Sequence, residues 1–272
     1  MVSYGRRQKS YLIVLFAACL LLPGAAWAQT VKMEWLSWSH FRFTSPTGKV
    51  VLTNPWVTNP DSPVKLDDIK QADLILVADG HRDEIGETPE IAIKTGARIV
   101  AIRELATGYL AKQKVPAKQL VLAQPGDIFN LDGIKVRVVN SVHGSGVAEA
   151  DPSAPYGGPA AGFIVTFENG VTVYFAGSSA IHMDMQLYGS LYKPDVAILV
   201  LSGNRDPKDF AHMVRLLLTD NPNLKTVFPH HHRVRPAPGQ PTVEDAAREI
   251  KALGLNVNLV VPALGETYTF SK

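Results

Sequence analysis

Short apolar segments of two kinds alternate along this chain, and their order limits the possible folds more than any other feature of the sequence. Segments with strand character come first, and segments that alternate between strand and helix character follow them. The same order begins again near residue 127. Consecutive strands indicate antiparallel meanders, whereas strand–helix alternation indicates parallel strands covered by helices. The chain is therefore predicted to be a mixed α/β (α+β) protein with two architecturally similar halves.

Each half has its own set of predicted elements. In the first half, strands are expected at 31–36, 40–43, 50–53, 72–78 and 97–102, and helices at 88–95 and 104–113. In the second half, strands are expected at 127–130, 134–140, 161–168, 171–176, 196–201, 226–229 and 257–261, and helices at 208–218 and 243–253. Asn169-Gly170 between two apolar runs is a strong hairpin signal. No sequence is repeated, so the similarity of the halves is one of architecture.

The first 28 residues have the pattern of an export signal. Three basic residues precede an apolar run at 11–22, and the small-residue site Ala26-Trp27-Ala28 follows. The run is shorter than the roughly 20 apolar residues that span a bilayer. We therefore expect cleavage near Ala28, no stable membrane anchor, and a periplasmic or secreted mature protein that consists of one domain, residues 29–272.

Charge and cysteine content narrow the classes of function. The single cysteine, Cys19, lies in the predicted leader, so a metal site in the mature domain must use histidine and carboxylate ligands. Removal of the three basic leader residues leaves 24 of the 27 Lys and Arg against 25 Asp and Glu. A near-neutral domain lacks the basic surface of a sequence-independent nucleic-acid binder. The expected partner is a small-molecule substrate, and the sequence leaves the oligomeric state open.

The stretch VADGHRDEIG, residues 77–86, concentrates potential metal ligands after a predicted buried strand. Asp79, His81 and Asp83 occupy alternate positions, so their side chains converge where the backbone is extended. Such spacing is common by chance. By itself it favours a solvated polar turn.

The order of several motifs resembles that of the metallo-β-lactamase superfamily of metal-dependent hydrolases, and more narrowly its L-ascorbate 6-phosphate lactonase branch. The family carries a Thr-His-x-His-x-Asp-His loop after a strand, at the position of residues 78–84 here. Further matches are His143, residues 158–163, Ala176-Gly177 and residues 229–231. The resemblance covers nearly the whole mature chain. It implies an αββα four-layer sandwich, with two sheets back to back, helices outside and the active site along one edge.

Five positions depart from the family pattern. Asp79 and Glu84 replace the first and last histidines of the loop, and Ser178 replaces the aspartate that bridges two metals. Trp38 stands in place of a histidine, and Asn54 in place of the acidic residue of an Asp-Pro pair.

The resemblance, together with the carboxylates at the changed positions, gives two groups of candidate metal ligands. They are Asp79, His81 and His143 in one group, and Asp83, Glu84 and His231 in the other. Because Ser178 cannot supply the negatively charged carboxylate that would bridge two cations, one divalent ion is expected rather than two. Carboxylate ligands make Mn, Fe or Mg credible beside Zn. Asp83 is expected to orient or deprotonate a metal-bound water, and Glu84 to share that role or bind the metal.

Three further polar residues are candidates for substrate binding, namely Ser178, His182 and Arg233. A guanidinium group suits carboxylate or phosphate recognition. In the triplet 230–232, a strand that continues would turn the middle histidine away from its two neighbours. The resemblance implies that His231 is the one in the site, which leaves His230 and His232 at the surface or behind the ligands.

Two functions remain open at this point. The first is an exported hydrolase that cleaves an ester, lactone or phosphoester with metal-activated water. It is favoured because carboxylates, which still bind cations, occupy two of the changed positions. The alternative is a catalytically inactive relative that binds a small ligand or a protein in the old cleft, as the five concurrent departures suggest.

Overall fold

A computed structural model describes residues 30–147 and 155–272, and the predicted leader lies outside these residues. The strands are β1 (Val31–Trp35), β2 (Phe41–Thr44), β3 (Val50–Thr53), β4 (Leu74–Leu76), β5 (Arg98–Ile102), β6 (Leu120–Ala123), β7 (Ile128–Leu131), β8 (Ile134–Asn140), β9 (Ala161–Thr166), β10 (Thr172–Phe175), β11 (Val196–Val200), β12 (Thr226–His230), β13 (Asn258–Leu259) and β14 (Thr267–Phe270). The helices are α1 (Arg82–Ile85), α2 (Thr88–Thr95), α3 (Arg103–Gly108), α4 (Asp184–Leu187), α5 (Pro207–Leu217) and α6 (Val243–Ala252). None of the helices within the described ranges has the length and apolarity that crossing a membrane requires.

The strands form two seven-stranded sheets with the same internal topology. The first sheet has the order β14-β1-β2-β3-β4-β5-β6 and the second the order β13-β12-β11-β10-β9-β8-β7. In each sheet, antiparallel pairs come first along the chain and parallel pairs follow. The C-terminal strand β14 crosses to the first sheet and pairs antiparallel with β1. The predicted arrangement of two similar halves is confirmed.

The apolar residues are buried in three layers, which explains why two sheets and two sets of helices stay together. Aromatic side chains such as Phe41 and Phe163 fill the space between the sheets. Phe210 of α5 packs on the outer face of the second sheet, and Ile91 of α2 on the outer face of the first. Burial of apolar surface in each layer drives the assembly. The resulting order, helix–sheet–sheet–helix, confirms the αββα sandwich.

Most of the predicted elements are present, and the differences have local reasons. The strands at 50–53 and 134–140 and the helix at 88–95 match the prediction residue for residue. The predicted hairpin is also present, since Gly170, with φ of 85°, joins β9 to β10. Two strands were missed, β6 and β14. Both are edge strands of four residues, too short to show a clear alternation of apolar and polar side chains.

Gly86 determines how the loop after β4 rejoins the first sheet. This residue ends α1 with φ of 48° and ψ of −136°, a conformation that L side chains avoid. A Cβ atom on it would lie 2.4 Å from the carbonyl oxygen of Pro55, which also accepts a hydrogen bond from the backbone N–H of Glu87 at 3.0 Å. Only glycine allows the two segments to approach this closely.

We predict that Gly86→Ala lowers the free energy of unfolding by about 3 kcal/mol, because backbone strain and a clash with Pro55 add together. Gly48→Ala is the matched control, since Gly48 also has a positive φ, 84°, but nothing lies within 4 Å of its Cβ position. Its expected loss is about 1 kcal/mol, from strain alone. Urea unfolding of both variants measures the difference, and equal losses would show that the close approach to Pro55 is unimportant.

Candidate metal centre

The loop after β4 is fixed by side chains from two other loops. The side-chain carbonyl of Asn54 accepts a hydrogen bond from the backbone N–H of Ala78 at 2.9 Å. The hydroxyl of Ser145 accepts one from the backbone N–H of Gly80 at 3.0 Å. A Cβ atom at Gly80 would lie 2.9 Å from the carbonyl oxygen of Ser145, so this approach also needs glycine. The loop is therefore ordered by specific contacts rather than left as a solvated turn.

Asp79, His81 and His143 come together as the first group of candidate ligands. One ligand atom from each lies within 4.8 Å of the others. Asp79 is 1% exposed, and its Oδ1 accepts a hydrogen bond from the backbone N–H of His81 at 2.9 Å. Its other oxygen, Oδ2, is buried and has no hydrogen-bond partner among the described residues. Burial and the nearby Glu84 carboxylate raise the pKa of Asp79, and burial lowers the pKa of His143, which favours the neutral imidazole.

Asp83, Glu84 and His231 come together as the second group, but here the carboxylate is already saturated. Oε1 of Glu84 accepts from the hydroxyl of Ser178 at 2.5 Å and lies 3.1 Å from Nε2 of His231. Oε2 accepts from the hydroxyl of Ser39 at 3.2 Å and from the side-chain amide of Asn54. A carboxylate offers about four acceptor sites. All four are occupied by protein donors.

His231 lies close to two carboxylates, which stabilise its protonated, positively charged form. Burial alone would lower its pKa, but the hydrogen bonds and charges of Asp83 and Glu84 raise the pKa of His231 to about 9. Burial likewise raises the pKa of Asp83, yet His231 and a 2.6 Å hydrogen bond from the indole N–H of Trp38 together lower it to about 2. At neutral pH the pair is an imidazolium and a carboxylate.

The histidine triplet does not follow the alternation expected of a strand. β12 ends at His230, and His231 has φ of 59°, so the backbone turns at that residue. Of the two positions expected for His230 and His232, the surface is excluded, since they are 0% and 7% exposed. Nδ1 of His230 lies 2.7 Å from Nδ1 of His231, and the His232 ring stacks on Trp35 with a centroid distance of 4.6 Å. Both therefore lie behind the proposed ligand.

A cavity of about 250 Å³ opens above the two groups, and we call it the edge cleft. Its polar lining includes His81, Asp83, His143, Ser178, Arg205 and His231. Arg205 was not predicted, although a basic residue just after a parallel strand stands where α/β sheets commonly bind ligands.

The other two residues predicted to bind substrate lie outside the edge cleft. Arg233 is exposed and borders a separate cavity of about 330 Å³ beside Trp35 and His232. His182 is half-buried, with Nδ1 3.9 Å from Oδ2 of Asp184. Of the three residues predicted for this role, only Ser178 lines the edge cleft.

Comparison with known proteins places this chain in a family. The model of the beta-lactamase superfamily domain matches residues 49–257. A UPF0173 metal-dependent hydrolase of Rubrobacter xylanophilus is 35% identical over 240 residues, which are 86% of this chain and 95% of that protein. A second, of Thermodesulfovibrio yellowstonii, is 32% identical over 268 residues, 94% of this chain and 97% of that protein.

A solved structure agrees with these sequence relatives. Igni18, described as a novel metallo hydrolase from the hyperthermophilic archaeon Ignicoccus hospitalis, superposes with a TM-score of 0.74 at 28% identity. The match covers 89% of this chain and 99% of that one. None of the three similar proteins is named as a lactonase, so the narrower resemblance to the lactonase branch stays a prediction. The chain belongs to the beta-lactamase superfamily and, within it, to the UPF0173 family of metal-dependent hydrolases.

Proposed function

We propose that this protein hydrolyses an ester, lactone or phosphoester of a small molecule with one divalent cation, held by Asp79, His81 and His143. Export and cleavage near Ala28 belong to the same proposal and rest on the leader pattern alone. The observation that supports the proposed metal site is that Oδ2 of Asp79 is buried without a hydrogen-bond partner in the part of the chain that the structure describes.

A buried carboxylate oxygen without a donor is costly, and native proteins rarely keep one without a reason. A cation supplies the missing partner. The donor set also fits, because two imidazoles and one carboxylate are a common set for zinc and for non-haem iron. The low pKa of His143 supports this, since histidine binds metal in its neutral form. Zn, Mn and Fe are all compatible with these ligands.

The second group supports a single ion rather than a pair. Each acceptor site of Glu84 already receives a protein donor, and a metal at Glu84 would have to displace one of them. The imidazolium of His231 lies 3.5 Å from Asp83 and 3.1 Å from Glu84, where it neutralises much of their charge. Protein hydrogen bonds thus satisfy the half of the centre that lost its bridging aspartate.

A divalent cation bound by the first group would polarise the scissile carbonyl or phosphoryl oxygen and lower the pKa of a bound water. Asp83 lines the edge cleft and is ionised at neutral pH, so it would accept a hydrogen bond from an attacking water and orient it. Its pKa of about 2 is far from the near-neutral value of an efficient general base. Trp38 and His231 hold the Asp83 carboxylate in place.

The metal site predicts a stoichiometry and a ligand dependence. Titration of metal-free protein with Zn²⁺ or Mn²⁺ in a calorimeter should give one ion per chain. Asp79→Asn should weaken binding by more than about 100-fold, because loss of an outer partner alone costs about 10–100-fold. His212→Ala, in α5 and outside both groups, should bind as the wild type does. Two ions per chain, or unchanged binding by Asp79→Asn, would contradict the single site.

Assays of hydrolysis distinguish the proposed enzyme from a catalytically inactive relative. Metal-loaded protein should cleave at least one member of a panel of carboxylic esters, lactones and phosphodiesters. His143→Ala should lower kcat/KM by at least about 100-fold, since metal activation contributes several kcal/mol. Steady-state assays of both proteins, with the folded state checked by circular dichroism, measure this. A protein that binds one metal yet cleaves nothing in the panel would favour the ligand-binding alternative.

The charge on His231 predicts how the stability of the metal-free protein depends on pH. Its folded-state pKa of about 9 lies above the unfolded value of 6.5. The stabilisation is therefore complete below pH 6.5 and is lost as the pH rises through 9, a decline of about 3 kcal/mol in the free energy of unfolding. Urea unfolding between pH 6 and 10 measures it. His231→Gln should lack this decline, and an identical profile for both proteins would rule out the imidazolium.

A further inference from the structure

We propose that Arg205 binds an oxyanionic group of the substrate, a carboxylate or a phosphoryl group, beside the metal ligands. The substrates of the proposed hydrolase would then be anions. This inference rests on the proposed function only in assuming that the bound oxyanion belongs to the molecule that is hydrolysed.

Arg205 is held in position by the structure on both sides of it. It follows β11, and its backbone N–H donates to the carbonyl of Ser202 at 3.0 Å, which closes a turn. The next residue, Asp206, caps α5 by accepting a hydrogen bond from the backbone N–H of Lys208 at 2.9 Å. Pro207 at the first position of the helix limits the backbone further. A side chain on such a short, fixed segment is well placed for specific recognition.

The guanidinium group is anchored through one nitrogen and keeps donors for a ligand. Nη2 donates to the carbonyl oxygen of Ser178 at 3.0 Å and lies 3.5 Å from Nδ1 of His143. Arginine has five N–H donors in a planar fork that matches carboxylate and phosphate oxygens. The contact with Ser178 therefore fixes the group without using its capacity.

The charge of Arg205 is not compensated within the protein. Among residues 30–147 and 155–272, no carboxylate lies within 4.0 Å of its guanidinium group. Asp206 and Asp209 are its nearest acidic neighbours in sequence, and both are exposed. The one carboxylate that lines the edge cleft, Asp83, is paired with His231. A free cation in a partly enclosed cleft attracts an anion.

The location of Arg205 connects this charge to the chemistry. His143 is a proposed metal ligand, and it lies directly beside the guanidinium group. An oxyanion on Arg205 would therefore be next to the metal site, within a cleft of about 250 Å³ that fits a small molecule. Arg233 cannot take this role, because it borders the other cavity.

The test measures binding of two simple oxyanions, acetate and inorganic phosphate, to metal-loaded and to metal-free protein. Kd is obtained from the thermal midpoint as the anion replaces chloride at constant ionic strength. Arg205→Gln should raise the Kd at least about tenfold, because a charge-assisted hydrogen bond contributes about 1.5–3 kcal/mol. Arg205→Lys should be intermediate, since lysine keeps the charge but not the fork. Arg215→Gln, an exposed arginine of α5, makes the same charge change and should bind as the wild type does.

Comparison of acetate with phosphate identifies which chemical group of the substrate Arg205 binds. Tighter binding of phosphate would indicate phosphoesters, and tighter binding of acetate would indicate carboxylate-bearing esters or lactones. The inference is overturned if wild-type protein shows no saturable response to either anion, if Arg205→Gln retains the wild-type Kd, or if Arg215→Gln loses as much. Failure of the proposed metal site would give a different result. The protein would then bind no metal, but the metal-free protein would still bind the anions in a way that depends on Arg205.

Discussion

A single buried carboxylate joins the two halves of this protein at the edge where the site lies. Glu84 belongs to the loop after β4 of the first sheet, and it receives donors from Ser178 and His231, which follow β10 and β12 of the second sheet. An ionised carboxylate without partners would be very costly at 1% exposure. The sheets must therefore keep their relative position for Glu84 to stay satisfied. Loss of any one donor would leave a buried charge short of a partner, so this network is a constraint on the whole sandwich edge.

The backbone around the network is strained at the residues that serve it. Trp38, Asn54 and His231 all have positive φ, between 40° and 59°. Non-glycine residues adopt this region at a cost, and they keep it only where surrounding contacts hold them there. Such contacts are present here, because Trp38 binds Asp83, and Asn54 and His231 bind Glu84. The strain is the local cost of directing these side chains at the same two carboxylates.

The sequence predicted the two-sheet fold and, through the family resemblance, the two groups of side chains that lie together in the structure, but not how the second group is hydrogen-bonded. His81, His143 and His231 follow strands whose apolar character is visible in the sequence, so their convergence at one edge could be expected. The saturation of Glu84 could not, because it depends on the distances of four donors from different loops. The sequence left open whether His232 lies at the surface or behind the ligands, and it could not show the left-handed turn at His231, which interrupts the alternation. Arg205 was missed because one arginine in a loop carries no periodic signal, and only the arrangement of β11 against β10 brings it to His143.

Four of the five departures from the family pattern take part in the contacts of Asp83 and Glu84. Asn54 and Ser178 both donate hydrogen bonds to Glu84, and the Trp38 indole N–H donates to the neighbouring Asp83. Changes that lie in one ligand group and satisfy Glu84 there are consistent with the single-metal site that we propose. The fifth departure, Asp79, lies in the other half and does the opposite, since it adds a buried oxygen that no donor from residues 30–147 or 155–272 satisfies. A site that had lost all need for a cation would gain stability by replacing Asp79 with a neutral residue. The presence of a buried carboxylate with one oxygen unsatisfied, beside His81 and His143, therefore favours an altered metal centre over an abandoned one.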